Sequence, residues 1–176
     1  MALDIQNFLK ASTVVFSHKE NSLRGMIVEG VVGSVSGLAL PAVVDSTETG
    51  VLYSGDPVTV YSTSTGTPKF VKCSDPAKCN GFVSYETKQT GYVAGQVFTL
   101  AATGKVIQLV AAGITIAAGD KMYLDLTDAD NIVVTNVADE GATEIGIAEE
   151  AITAPADGAL VAVRITAPLA LAAVSE

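Results

Sequence analysis

Apolar and polar positions along the chain fall into short runs of period two separated by turn residues. Val58 and Val60 share one face of an extended segment while Thr59 and Tyr61 share the other; further on, Met122, Leu124 and Leu126 alternate with Lys121, Tyr123 and Asp125. Successive side chains of a strand point to opposite sides, so both segments predict half-buried β-strands. Each is followed by a polar turn and a returning apolar run. Residues 62–68 lead back through Phe70-Val71-Lys72, and residues 127–131 through Ile132-Val133-Val134-Thr135, which predicts two hairpins. Further strands are expected at 81–85, 97–100, 106–110 and 158–165, where Val161, Val163 and Ile165 share a face. Pro57 stands at the start of a strand, where a missing amide proton is tolerated. Residues 26–44 read as two or three short strands punctuated by Gly30, Gly33 and Gly37, and residues 45–50 as a turn.

The pattern occurs twice. Gly55-Asp56 and Gly119-Asp120 each precede an alternating strand and stand 64 residues apart; Gly81 and Gly146, each inside a later strand, are 65 apart; Gly95 and Gly158, each ahead of a last strand, are 63 apart. Three landmarks in one register predict an internal duplication. The expected organisation is an N-terminal arm with leading strands (residues 1–50), a first β unit (51–113), a second (114–166) and an apolar C-terminal tail (167–176). The expected fold class is all-β, built from small barrel-like or sandwich-like units of short antiparallel strands.

Composition agrees with that class. Apolar residues make up 49% of the 176, mostly Ala and Val, with 16 Gly and no Trp. A chain of this length buries a sizeable core without needing a disulfide or metal. The net charge of −9 lies in one half: residues 1–118 balance eight basic against eight acidic residues, whereas residues 119–176 set Lys121 and Arg164 against eleven acidic ones. Replacing the counterions of a phosphate backbone takes Lys and Arg, so nucleic acid is not an expected partner. A solvated acidic face is the plain reading, and a surface for a basic partner the sharper one. Residues 26–44 are apolar, but Glu29, three glycines and Pro41 argue against a membrane span.

Cys73 and Cys79 bracket a turn-forming segment. No secretory signal opens the chain and no second Cys/His pair completes a zinc site, so both are expected to be free structural thiols. Asp128 and Asp130 lack the Gly and Glu that a calcium loop requires downstream. The sole histidine, His18, lies in a polar arm with no nucleophile elbow, and there is no phosphate-binding glycine loop. Glu140, Glu144, Glu149 and Glu150 lie in a turn-rich acidic region, the setting of solvated carboxylates rather than a glycosidase pair. No catalytic, cofactor-binding or metal residue is assigned, and the chain reads as non-enzymatic.

Residues 118–125 (Ala-Gly-Asp-Lys-Met-Tyr-Leu-Asp), 145–149 (Ile-Gly-Ile-Ala-Glu) and 157–165 (Asp-Gly-Ala-Leu-Val-Ala-Val-Arg-Ile) resemble the core of the head decoration, or capsid cement, proteins of tailed bacteriophages. Looser similarity runs through Gly81, Gly95-Gln96-Val97 and Gly104-Lys105-Val106, so the resemblance covers about residues 51–166. It implies a small β-barrel-like fold, a homotrimer, and attachment to the major capsid protein outside the expanded head at threefold or quasi-threefold positions. It implies mechanical reinforcement, no cofactor and no catalytic residue, with synthesis in the host cytoplasm and residence on the virion exterior. Residues 1–50 and the 73–79 loop depart from the usual shorter pattern. Independently of the resemblance, Val14, Val15 and Phe16 in the arm and Leu169, Leu171 and Val174 in the tail are apolar, lie outside the repeats, and are the expected subunit or capsid contacts. The alternative reading is a β-rich binding module, such as a head-fibre base or a surface adhesin, meeting a receptor through its acidic face.

Overall fold

Period-two segments become strands here, and hydrogen bonding across the turns decides which strands pair. The computed structural model describes residues 39–62, 67–84, 91–128, 132–139, 142–152 and 159–165. Its strands are β1 (Ala39–Val44), β2 (Leu52–Tyr53), β3 (Pro57–Ser62), β4 (Lys69–Lys72), β5 (Gly81–Val83), β6 (Gly91–Tyr92), β7 (Val97–Ala101), β8 (Gly104–Leu109), β9 (Lys121–Asp125), β10 (Val133–Thr135), β11 (Glu144–Ala148) and β12 (Leu160–Ile165). Among the described residues a single 3-10 turn, Pro76–Lys78, interrupts them. The fold is all-β, as expected. Segments predicted at residues 1–38, 85–90 and 166–176 lie outside the described residues.

Five strands close a barrel in the order β1-β4-β3-β5-β7. The pairs β4–β3, β3–β5, β5–β7 and β7–β1 are antiparallel, and a parallel contact of Val43 with Lys69 and Val44 with Phe70 closes the ring. The other five form a sheet in the order β10-β9-β11-β12-β8, antiparallel throughout. A parallel bridge from Val110 to Val134 then brings the end of β8 to β10. Exchanging β1, β3, β4, β5 and β7 for β8, β9, β10, β11 and β12 turns one order into the other, including the position and sense of the parallel contact. The small β2–β6 pair, Leu52 opposite Tyr92, has its counterpart in the bridge from Ile116 to Ile152.

The duplication extends to single hydrogen bonds. In the first unit Asp56 N donates to Tyr53 O, Gly55 N to Val83 O and Val83 N to Asp56 O; in the second, Asp120 N donates to Ala117 O, Gly119 N to Ala148 O and Ala148 N to Asp120 O. The side chains agree as well. Asp56 Oδ2 accepts from Tyr53 N at 2.9 Å with Lys72 Nζ 3.9 Å away, while Asp120 Oδ2 accepts from Ala117 N and from Asn136 Nδ2, both at 2.9 Å. The glycine ahead of each aspartate has positive φ, 83° at Gly55 and 91° at Gly119, a conformation that a Cβ disfavours. Strand pairing also corrects the expected unit boundaries. Residues 104–109 fall within the expected first unit, but β8 pairs with β12 along its whole length, and the first barrel is completed by β1, from the expected leading segment. The units are therefore residues 39–101 and 104–165.

Alternation fills the two interiors. Ala42, Val44, Leu52, Val58, Phe70, Val83, Tyr92, Phe98 and Leu100 form the first core. Val106, Met122, Leu124, Val134, Ile145, Val161, Val163 and Ile165 belong to the second, which Cys73, Cys79, Phe82 and Ala101 of the first unit join from outside their own barrel. That contact holds the units together through apolar burial, the dominant favourable term in folding.

The Gly-Asp turn carries a pH prediction. Hydrogen bonds from the Ala117 amide and then the Asn136 side chain hold the Asp120 carboxyl below its ordinary value. A depressed native pKa contributes stability that is present above the unfolded value, about 3.9, and lost as pH falls through the native one. Asp120→Asn removes that titration. Unfolding free energy measured between about pH 5 and pH 2 should therefore fall less steeply for the variant than for the wild type, and parallel curves would refute the assignment.

Candidate functional site

The residues expected to touch a neighbouring subunit or the capsid, Val14, Val15, Phe16, Leu169, Leu171 and Val174, all lie outside the described residues. What the described residues offer is surface. Among them no three His, Cys, Asp or Glu side chains gather as a metal site would require, and no helix is long and apolar enough to cross a membrane.

The first surface is apolar and sits on the first barrel. In β7, Phe98 and Leu100 point into the core, so alternation turns Val97 outward, where 62% of it is exposed, directly opposite Val43 of β1. The turn before it is tightly held. Gln96 N donates to Val93 O at 3.0 Å, Val93 N donates to Gln96 Oε1 at 2.9 Å, and Gly95 has φ of 82°. Val93 and Val97 therefore flank one rigid turn, both substantially exposed. Tyr61, on the outer face of β3, is exposed too.

The second surface is a groove of about 300 Å³ on the second unit. β10 and β11 both run antiparallel to β9 and flank it, so the chain between them passes from one side of that strand to the other. Tyr123, Asp125, Thr127, Val137 and Asp139 line the groove, together with Pro76 of the first unit. The walls combine apolar and acidic groups. Asp125 Oδ1 is held by Thr127 through its amide at 3.0 Å and its hydroxyl at 2.6 Å, which fixes the carboxylate in place.

Cations of the second unit are engaged by acids. Glu149 receives Lys105 Nζ and Arg164 Nε at 2.6 Å each, and Lys121 Nζ meets Glu144 at 2.8 Å. The Glu144 carboxylate, by hydrogen bond first and then by charge, pushes the Lys121 ammonium above its ordinary value. Each described basic residue of this unit is thus bound to a glutamate, and Asp128 and Asp139 are exposed. The Lys121 and Arg164 ends of these pairs are exposed, and ion pairs at a surface contribute little to stability individually.

Cys73 and Cys79 are free and buried. Cys73 Sγ donates to Asp75 O at 3.0 Å and Cys79 Sγ to Gly81 O at 3.5 Å. Contact with the Cys79 thiol, ahead of the other influences, favours the Cys73 thiolate and lowers its pKa, and the same contact together with burial raises that of Cys79. Sequence reasoning missed both surfaces. Val97 was read only as a strand residue, although its place one step from inward-facing Phe98 is a signal that it points outward. The groove depends on a crossover that no local pattern announces. The chain matches no protein-family model, and no curated protein matches it in sequence.

Proposed function

We propose that the protein is a structural decoration protein of a tailed-phage head, bound as a homotrimer to the major capsid protein on the outside of the expanded shell and reinforcing it mechanically. The observation that carries this reading is the duplicated barrel. Two copies of one tightly hydrogen-bonded topology make a stiff body, which suits a part that bears load. The resemblance of residues 118–125, 145–149 and 157–165 to the cement family points the same way. Exposed Val93 and Val97 and the acidic groove supply surfaces for neighbours, and the apolar arm and tail supply reach. Burying Leu169, Leu171 and Val174 at subunit contacts would contribute about 1.5–3 kcal/mol each. Three symmetry-related attachments would raise effective concentration at one lattice site, so weak single contacts suffice.

The test is co-sedimentation with purified expanded heads, alongside mass in solution, for the full chain and for chains lacking residues 167–176 or 1–20. A trimer that binds heads, with trimer lost on removing the tail or head binding lost on removing the arm, is the expected result. A full-length monomer that ignores heads overturns the reading, and binding to a cell surface instead would favour the receptor-binding alternative.

A further inference from the structure

The 73–80 segment has more chemistry than its place in the fold requires. It connects β4 to β5, and it bends tightly: Asp75 Oδ1 accepts from Ala77 N at 3.0 Å, Lys78 N donates to Asp75 O at 2.9 Å, and Cys79 N donates to Pro76 O at 3.2 Å. This bend brings the residues on either side of it, Cys73 and Cys79, back to one place. Each is 4% exposed, and both pack in the same apolar cluster against the second unit. The position equivalent to Cys73 in the second unit, 64 residues on, is Val137, which is 56% exposed. The duplicated topology therefore does not demand a buried residue there, still less a thiol.

We propose that Cys73 and Cys79 form a redox latch, a dithiol that closes to an intramolecular disulfide by exchange with a small external disulfide and thereby ties the 73–80 segment down where it meets the second unit. The Cys73 thiolate attacks one sulfur of the external disulfide, forming a mixed disulfide and expelling one thiolate. Cys79 then gives its proton to solvent and attacks the Cys73 sulfur, expelling the second. Two protein thiols are oxidised to one disulfide, and the external disulfide is reduced to two thiols. Order follows from the contacts of each thiol: Asp75 O and the neighbouring Lys78 lie on the Cys73 side, while Cys79, whose thiol is turned to Gly81 O, serves as the resolving thiol. In a reducing cytosol the pair stays open, and in an oxidising medium it closes.

The experiment incubates the native full chain with excess oxidised glutathione, alkylates remaining thiols, and measures intact mass. The expected product has lost two hydrogens and takes up no alkylating reagent. Trypsin cuts after Lys72, Lys78 and Lys88, so peptides 73–78 and 79–88 should remain joined until reduced. Cys79→Ser should instead hold one glutathione on Cys73. The oxidised protein should unfold at higher denaturant than the reduced one, and reduction should reverse the shift. Two alkylatable thiols after oxidation, a stable glutathione adduct on the wild type, linkage between separate copies, or an unchanged unfolding midpoint would each overturn the latch.

Discussion

Replacing Gly146 by alanine is expected to destabilise the protein by about 3 kcal/mol, the upper part of the range for overpacking a closed interior. A Cβ built at Gly146 collides with Arg164 O and lies 2.9 Å from Arg164 C, contacts with main chain rather than with a flexible side chain. Relief requires β11 and β12 to part, and Gly146 sits opposite Ile165 in that very pairing. The register of β11 against β9 also shifts between Glu144 and Gly146, so the strand is already irregular there. Gly81 is the equivalent position of the first barrel, and its Cβ would meet Leu100 Cδ1 at 2.7 Å and Ala101 O at 2.8 Å. Leu100 can turn aside but Ala101 O cannot, and Gly81 also has φ of 156°, so Gly81→Ala combines a main-chain clash with backbone strain and should cost about as much as Gly146→Ala. Gly119→Ala separates space from conformation: nothing lies within 4 Å, yet φ is 91°, so only backbone strain of about 1 kcal/mol is expected. Equilibrium denaturation of the three variants decides the order, and a Gly146→Ala protein as stable as wild type would show that β12 does not run where it is described.

These glycines explain why so much of the duplication was legible. A backbone that approaches another backbone tolerates no Cβ, so Gly81 and Gly146 stand in the sequence as fixed points, and positive φ does the same for Gly55 and Gly119. Alternation marked the faces of β3 and β9 because one side of each strand is wet. It could not mark partners. The run from Val106 to Val110 is buried throughout and carries no mark of its partner, and only the pairing with β12 assigns it to the second unit. Likewise β1 closes the first barrel through a parallel contact with β4, a strand some 25 residues away in sequence, Val43 meeting Lys69. Non-local closure leaves no trace in a window of neighbours. The surfaces were less legible still, since exposure of Val93, Val97 and Val137 follows from where turns and crossovers place them, and the arm and tail residues read as contacts lie outside the described chain.

The first barrel depends most on one side chain. Phe98 is 1% exposed and stands between two rings: Phe70 meets it edge-on, centroids 5.9 Å apart at 78°, and Tyr92 lies at 5.8 Å and 51°. Phe98→Ala is expected to cost about 4 kcal/mol, the transfer of the ring plus the cavity left among neighbours that sit on paired strands and cannot collapse inward. Part of that loss is the aromatic contacts themselves, about 0.5–1.5 kcal/mol for each pair beyond area alone. Val97 is the adjacent residue, and Val97→Ala should change stability by less than about 0.5 kcal/mol, because its side chain is mostly in water. A difference this large between neighbours in one strand tests the alternation that organises the barrel. The location of the damage tests the separation of the cores: Phe98→Ala should speed hydrogen exchange at the amides of Val44 and Ser84, which bond to Gln96 O and Thr99 O, before those of Ala148 and Glu149, which bond to Asp120 O and Ala162 O. Equal loss of protection in both sets would mean that the two barrels unfold as one unit, and that the contact made by Cys73, Cys79, Phe82 and Ala101 is strong enough to couple them fully.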